Sequence, residues 1–341
     1  MRQIRVPVWR SGPHSLPLRR INNPAMLHCF YRENTRLRQT DDPEEYAGLD
    51  PGRVVWIDLY NSSNEEKSFV ENRFKVELFT RQEAEEIESS SKFSENDQEI
   101  NANLNYIYKR ENGVALDPVS FILREKLLIT QRNIPLRSFD EAQRAILQNR
   151  RPQVNGYHIF LILFETRVDI EADFLEDLSR KIYAVGRGLA LEKEVPDSIL
   201  IDIFNFQELT ILFRESTSEL KRLFSSILRS EYFPKDEYEK LRVMIKDADS
   251  LVSHTSFLFE RLEYLQNTFL GLIDMKQNKI IKIFTVMTVV FMPPTLIASL
   301  YGMNFHFMPE LNWQFGYPLA LGLMALSSLI TLFFFRWKKW L

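Results

Sequence analysis

The chain has 341 residues, with 43 Lys+Arg against 46 Asp+Glu and a single cysteine. A net charge of −3 argues against a nucleic-acid partner, which would need a basic excess. The lone Cys29 excludes an internal disulfide framework or a cysteine-built zinc cage.

Met1 to Arg20 is basic but broken by Pro7, Pro13 and Pro17, and it lacks the apolar run of a secretory signal. After the turn Asp50-Pro-Gly52, Val54 to Leu59 reads as a strand. Glu65 to Leu78 has helical spacing, with Asn64 as its expected cap. The Ser/Glu-rich stretch from Glu83 to Glu99 reads as a solvated helix end and loop. Leu104 to Tyr108, Val119 to Leu123 and Lys126 to Thr130 carry strand patterns, the last two joined by a short charged turn as in a hairpin. From about Ser138 onward helical patterns dominate, interrupted at Pro152, Pro196 and Pro234. Residues 1–245 are therefore expected to form an α/β domain with a helical region.

Lys235 to Met292 contains no proline and one glycine, Gly271. Leu258, Leu262, Leu265, Phe269 and Leu272 step by four, three, four and three residues, the spacing of a coiled-coil seam. A helix packed on its own domain would show the same spacing, and both readings stand. The phase runs on toward an apolar run, so a stalk at 246–282 and a first membrane span at 283–302 are expected to be one helix.

Ile283 to Pro309 gives 27 residues without Asp, Glu, Lys or Arg, and Leu311 to Phe335 gives 25 more. A hydrocarbon core about 30 Å thick needs roughly 20 apolar residues in helix, so each run is long enough to cross. The segment between them is rich in turn formers and aromatics, which predicts a loop at 303–316 and a second span at 317–335. Lys276, Lys279 and Lys282 precede the first span, and Arg336, Lys338 and Lys339 follow the second. The loop has no Lys or Arg, so both termini are expected on the cytoplasmic side, with 336–341 as a basic tail. Up to Leu270 the chain carries 37 Lys+Arg against 44 Asp+Glu, so the expected cytoplasmic part is acidic.

Asn278, Ile281, Thr285, Thr288, Met292, Thr295 and Ser299 recur every three or four residues, a weakly polar stripe on an apolar helix. Such a stripe serves either a helix–helix contact using hydroxyls or a water-filled pore shared by several copies. Pro293 and Pro294 remove two backbone donors in mid-span and would kink it or free carbonyls toward a wet axis. No dinucleotide or phosphate-loop glycine pattern is present, and His14, His28, His158, His254 and His306 are scattered. The chain reads as a non-enzyme without an organic cofactor. Glu171, Asp173, Glu176 and Asp177 form a run that fits a solvated helix face or, less simply, a hard-cation site.

Tyr301-Gly302-Met303-Asn304-Phe305 resembles the signature of the CorA family of magnesium transporters, at the outer end of the first of two C-terminal spans. Phe291-Met-Pro293, Met308-Pro-Glu-Leu311, Trp313, Phe315-Gly-Tyr-Pro318 and Lys338-Lys-Trp-Leu341 extend the resemblance in order. Trp56-Ile-Asp-Leu59 and Leu127-Leu-Ile-Thr130 are similar to the family's cytoplasmic domain at lower specificity.

The resemblance implies an α+β membrane protein: a cytoplasmic α/β domain, a stalk helix continuous with the first span, a second span, and assembly as a homopentameric channel in the cell (inner) membrane. It implies a selectivity ring of Gly302, Met303 and Asn304. Asn278, Met292 and Thr295, with Thr288 and Ser299 on the same face, would line the pore. Ile281 and Phe284 would form an apolar constriction, with Leu270 extending the face toward the stalk. Mg²⁺ would be both cargo and regulator, with Co²⁺, Ni²⁺ and Zn²⁺ as further ions; Asp169, Asp173, Asp247 and Asp249 are the regulatory candidates. Glu310 would concentrate cations outside. Two features depart from the family. His306 stands where an acid is common, which admits softer ions, and the segment up to about Arg38 matches nothing. A Zn²⁺, Co²⁺ or Ni²⁺ transporter of the same superfamily is one alternative; a membrane-anchored sensor whose spans only dimerise is the other.

Overall fold

The computed structural model describes residues 26–34, 36–86, 92–110, 113–148, 154–191, 196, 198–303, 306, 308–309 and 313–338. It divides into two compact units, Met1–Leu265 and Gln266–Leu341.

The first unit is built on a seven-stranded sheet. Its strands are β1 (Met26–Glu33), β2 (Arg36–Thr40), β3 (Val54–Tyr60), β4 (Phe93–Glu95), β5 (Glu99–Arg110), β6 (Gly113–Arg124) and β7 (Leu127–Arg132). The order across the sheet is β2-β1-β3-β7-β6-β5-β4. Only β3 and β7 run parallel. β3 is buried along nearly its whole length, as its apolar run requires of a central strand covered on both faces. The expected hairpin is present as β6 and β7, paired from Arg124–Leu127 outward.

Helices cover both faces. On one, α1 (Pro43–Gly48) and α2 (Asn64–Phe74) overlie a cluster that includes Leu27, Cys29, Ile57, Leu59 and Val70. On the other, α4 (Arg137–Gln148), α5 (Gly156–Leu191) and α6 (Ser198–Ile227) meet an aromatic core. There Phe30 stacks on Trp56 at 4.4 Å, and Phe121 meets Phe164 at 4.9 Å. α3 (Arg81–Glu86) ends inside the stretch expected as solvated helix end and loop, where β4 also forms as an edge strand paired with β5. Gly156 opens α5 where a Cβ would lie 2.6 Å from the Leu128 nitrogen. Only glycine fits that approach of helix to turn.

Three local expectations change. Ser63, not Asn64, caps α2: its hydroxyl accepts from the Glu66 N–H while the Glu66 carboxylate accepts from the Ser63 N–H. This reciprocal box places Asn64 inside the helix. The helix ends at Phe74, short of Leu78, because Lys75 adopts a left-handed φ of 54°. Finally, the N-terminal region that matched nothing supplies β1 and β2. A register shift between Phe30 and Tyr31 breaks β1's alternation, and β2 (Arg-Leu-Arg-Gln-Thr) is a charged edge strand.

Two buried ion pairs tie the unit together. Asp58, in the middle of β3, accepts from Arg132 Nη2 at 2.8 Å and from Thr130 Oγ1 at 2.8 Å. Arg167 on α5 donates from Nε to Glu171 at 2.8 Å and from Nη2 to Ser216 Oγ on α6 at 2.7 Å. Its guanidinium also lies 3.8 Å from the centre of the Tyr106 ring on β5.

Burial pushes the Cys29 thiol up from 9.0 to about 12, partly opposed by the Arg73 charge. The thiolate is the reactive form, so Cys29 should resist a maleimide at pH 8 in the folded chain and react at once after unfolding. Rapid labelling of native protein would contradict this placement. Because the folded value is raised, the linked stabilisation is present below pH 9 and is lost as pH rises from 9 toward 12.

The long helix α7 (Tyr238–Tyr301) settles the seam within the first unit. Leu258, Leu262 and Leu265 are buried. A Cβ on Gly186 of α5 would sit 3.2 Å from Leu265 Cδ2, and the Arg261 guanidinium lies 3.3 Å from the Tyr183 ring centre. These leucines thus pack on their own domain, leaving no open coiled-coil seam there.

Candidate functional site

The second unit holds the rest of α7 and α8 (Gly316–Trp337). Both helices are long and apolar enough to cross a membrane. α7 continues through Pro293 and Pro294 without interruption. Between 283 and 300 its partly buried residues are Val286, Val289, Val290, Pro293, Pro294 and Ile297, and Val290 O lies 3.4 Å from Ser328 Oγ of α8. That carbonyl is the one Pro294 leaves without a helical donor. It faces α8, so this freed acceptor serves the helix pair and does not open onto the stripe.

The stripe lies on the other side. Asn278, Ile281, Phe284, Thr288, Met292, Thr295 and Ser299 are all exposed, as is Thr285. With 3.6 residues per turn, this set falls roughly opposite the side that meets α8, except for Thr285, which borders the α7–α8 groove. Thr288 donates to Phe284 O at 2.9 Å and Thr295 to Phe291 O at 2.7 Å. Each hydroxyl proton is satisfied within the helix, so each oxygen still has lone pairs to accept from water. Phe284 is 66 % exposed and Met292 61 %, a heavy exposure of apolar surface that a partner or lipid must cover.

Leu270 is also exposed. At the far end, Gly302 N–H donates to Ala298 O at 2.9 Å. A Cβ on Gly302 would lie 3.1 Å from that same oxygen, so the turn out of the helix is tight. Met303 is half exposed and His306 exposed. Asn304 and Glu310 lie outside the described residues. Trp313, Phe315 and Tyr317 are exposed at the start of α8, suited to a membrane–water boundary.

The four aspartates are placed unequally. Asp169 of α5 and Asp247 of α7 line one cavity of about 240 Å³, together with Glu165 and Glu239. Asp173 lines a different cavity, beside Arg167 and Phe174, and Asp249 is paired with Lys221. Glu171 is committed to Arg167 and Asp177 to Lys181, so the run 171–177 does not act as one carboxylate set. Among the described residues no group of three or more His, Cys, Asp or Glu is placed to hold a metal directly. Glu165 and Glu239 were not singled out from the sequence. The i−4 spacing of Glu165 from Asp169 and the place of Glu239 in the first turn of α7 were the available signals.

A mixed-sheet domain joined to two apolar helices, one with an exposed polar stripe, is the build of a two-span membrane protein. Residues 51–339 match the family model described as CorA-like Mg2+ transporter protein. The chain belongs to the CorA family. It is 37 % identical over 293 residues to the magnesium transport protein CorA of Wolinella succinogenes, covering 84 % of this chain and 91 % of that one. With the Campylobacter jejuni (strain RM1221) protein of the same name it is 36 % identical, over 93 % of this chain and all of that one. The fold matches the complete structure of the CorA magnesium transporter from Methanocaldococcus jannaschii with a TM-score of 0.76, at 17 % identity over 93 % of this chain and 98 % of that one.

Proposed function

We propose that the chain forms a homopentameric channel of the cell (inner) membrane that admits Mg²⁺ down its electrochemical gradient. The exposed stripe of α7, opposite α8 and ending at Gly302-Met303-Asn304, carries this reading. Two spans cannot enclose a pore, and copies arranged about an axis would each turn this stripe inward. Both termini and the sheet domain face the cytoplasm in this arrangement, following the basic flanks.

Mg²⁺ sheds its waters reluctantly. A ring of Asn304 amides would accept hydrogen bonds from the hydrated ion, and the hydroxyls of Ser299, Thr295 and Thr288, the Met292 thioether and the Asn278 amide would continue the path. Ile281 and Phe284 would close it by dewetting. A membrane potential of 100 mV drives each divalent ion inward by about 4.6 kcal/mol, so no chemical energy source is required. The Asp169–Asp247 cavity suits a regulatory Mg²⁺ that keeps its water shell, since carboxylates can bind it through water.

Liposomes containing the purified full-length chain and a Mg²⁺-sensitive dye should fill on addition of external Mg²⁺ under an inside-negative potential. Absence of flux would leave the membrane-anchored sensor as the better account. His306, exposed beside the signature, favours a second reading in which softer ions are carried. Zn²⁺, Co²⁺ or Ni²⁺ outcompeting Mg²⁺ in the same assay would establish that reading instead.

A further inference from the structure

A groove of about 750 Å³ runs between α7 and α8 at the Lys282 end of the second unit. Its lining changes character along its length. Lys282 and Thr285 stand at one end of the α7 wall, and Val289 lies deeper, with Ile330, Thr331 and Phe334 of α8 opposite. Lys282 to Val289 spans seven residues, about 10 Å of helix. One cation at the water boundary followed by hydrocarbon is the profile of a phospholipid, headgroup first.

Charge decides between possible occupants. From 275 to 341 the chain carries one acid, Glu310, at the opposite end of the span. The apolar spans of a second copy, 283–303 and 313–338, would therefore offer Lys282 no carboxylate. The hydroxyl of Thr331 is already committed to Ser327 O at 2.9 Å, so the α8 wall presents a methyl and not a competing donor. Of the polar stripe only Thr285 borders this groove; its other members lie on the far side of α7.

We infer that the groove holds an anionic phospholipid, its phosphate on the Lys282 ammonium with the Thr285 hydroxyl as second donor, and one acyl chain laid along Val289, Ile330 and Phe334. This lies beyond the transport reading and requires only that both helices sit in a bilayer.

The test is lipid retention by the full-length chain. Protein reconstituted in an equimolar mixture of phosphatidylglycerol and phosphatidylcholine is extracted in mild detergent, and the lipids that remain bound are quantified by mass spectrometry. Phosphatidylglycerol should be enriched about fivefold, the contribution of one lysine near a charged surface. Lys282→Gln should return the ratio to that of the mixture. Ile330→Trp, which fills the groove, should lose both lipids while the oligomer elutes unchanged. Lys276→Gln, outside the groove, should leave the enrichment intact. Equal retention of the two lipids would overturn the inference. So would an enrichment indifferent to Lys282→Gln, or one that falls as far with Lys276→Gln. Because retention is read without ion flux, a failed transport assay does not bear on it.

Discussion

Asn304→Ala is expected to abolish Mg²⁺ entry while leaving the chain folded, inserted and assembled. A hydrogen bond from one amide contributes about 1 kcal/mol net. In a ring of five the loss approaches roughly 5 kcal/mol of stabilisation of the hydrated ion, more than a thousandfold in occupancy. The substitution lies three residues beyond the helix end at Tyr301. The measurement is dye-loaded liposome flux beside size-exclusion elution of the same sample. Wild-type flux through Asn304→Ala chains would end the case for a selectivity ring at this signature.

Arg132→Ala should produce the largest loss of stability in the sheet domain. Asp58 is fully buried and Arg132 is 3 % exposed. Arg132 contacts both Asp58 oxygens through Nε at 3.2 Å, donates from Nη1 to Ile134 O at 2.9 Å, and lies between the Tyr60 and Phe139 rings at 4.5 and 4.6 Å. Deleting the arginine strands a carboxylate in the core, a cost of about 3–5 kcal/mol. Replacing both partners, as Asp58→Leu with Arg132→Met, should recover much of it, because the desolvation penalty then vanishes on both sides. Thermal melting of the full-length chain in detergent checks both variants. An unchanged Tm in Arg132→Ala would show that the buried pair contributes nothing to stability.

Much of the architecture was legible because it is written in local pattern. The run Val54 to Leu59 reads as a strand, and the short charged turn at Glu125-Lys126 between two strand patterns reads as a hairpin. The proline breaks at 152, 196 and 234 separate the helices observed as α4, α5, α6 and α7. β1 and β2 were not legible. A bulge removes the alternation of one, and the other is an exposed charged edge whose partner makes it a strand. The Ser63 cap was hidden because Asn64 is an equally good capping residue, and only the answering contact from Glu66 separates them.

The two apolar runs, the polar stripe and the Gly-Met-Asn signature follow from the order of residues alone, since hydropathy length and helical spacing are properties of a single segment. Periodicity defines a face; it does not say what the face meets. That Leu258, Leu262 and Leu265 pack on their own domain, that the freed Val290 carbonyl turns toward α8, and that Asp169 shares a cavity with Asp247 all depend on which helices lie side by side. The Asp58–Arg132 pair, 74 residues apart, exists because β3 and β7 run parallel as neighbours. Such contacts between distant residues arise from the joint packing of every element, and that packing leaves uncovered a stripe whose spacing alone suits a helix contact or a pore.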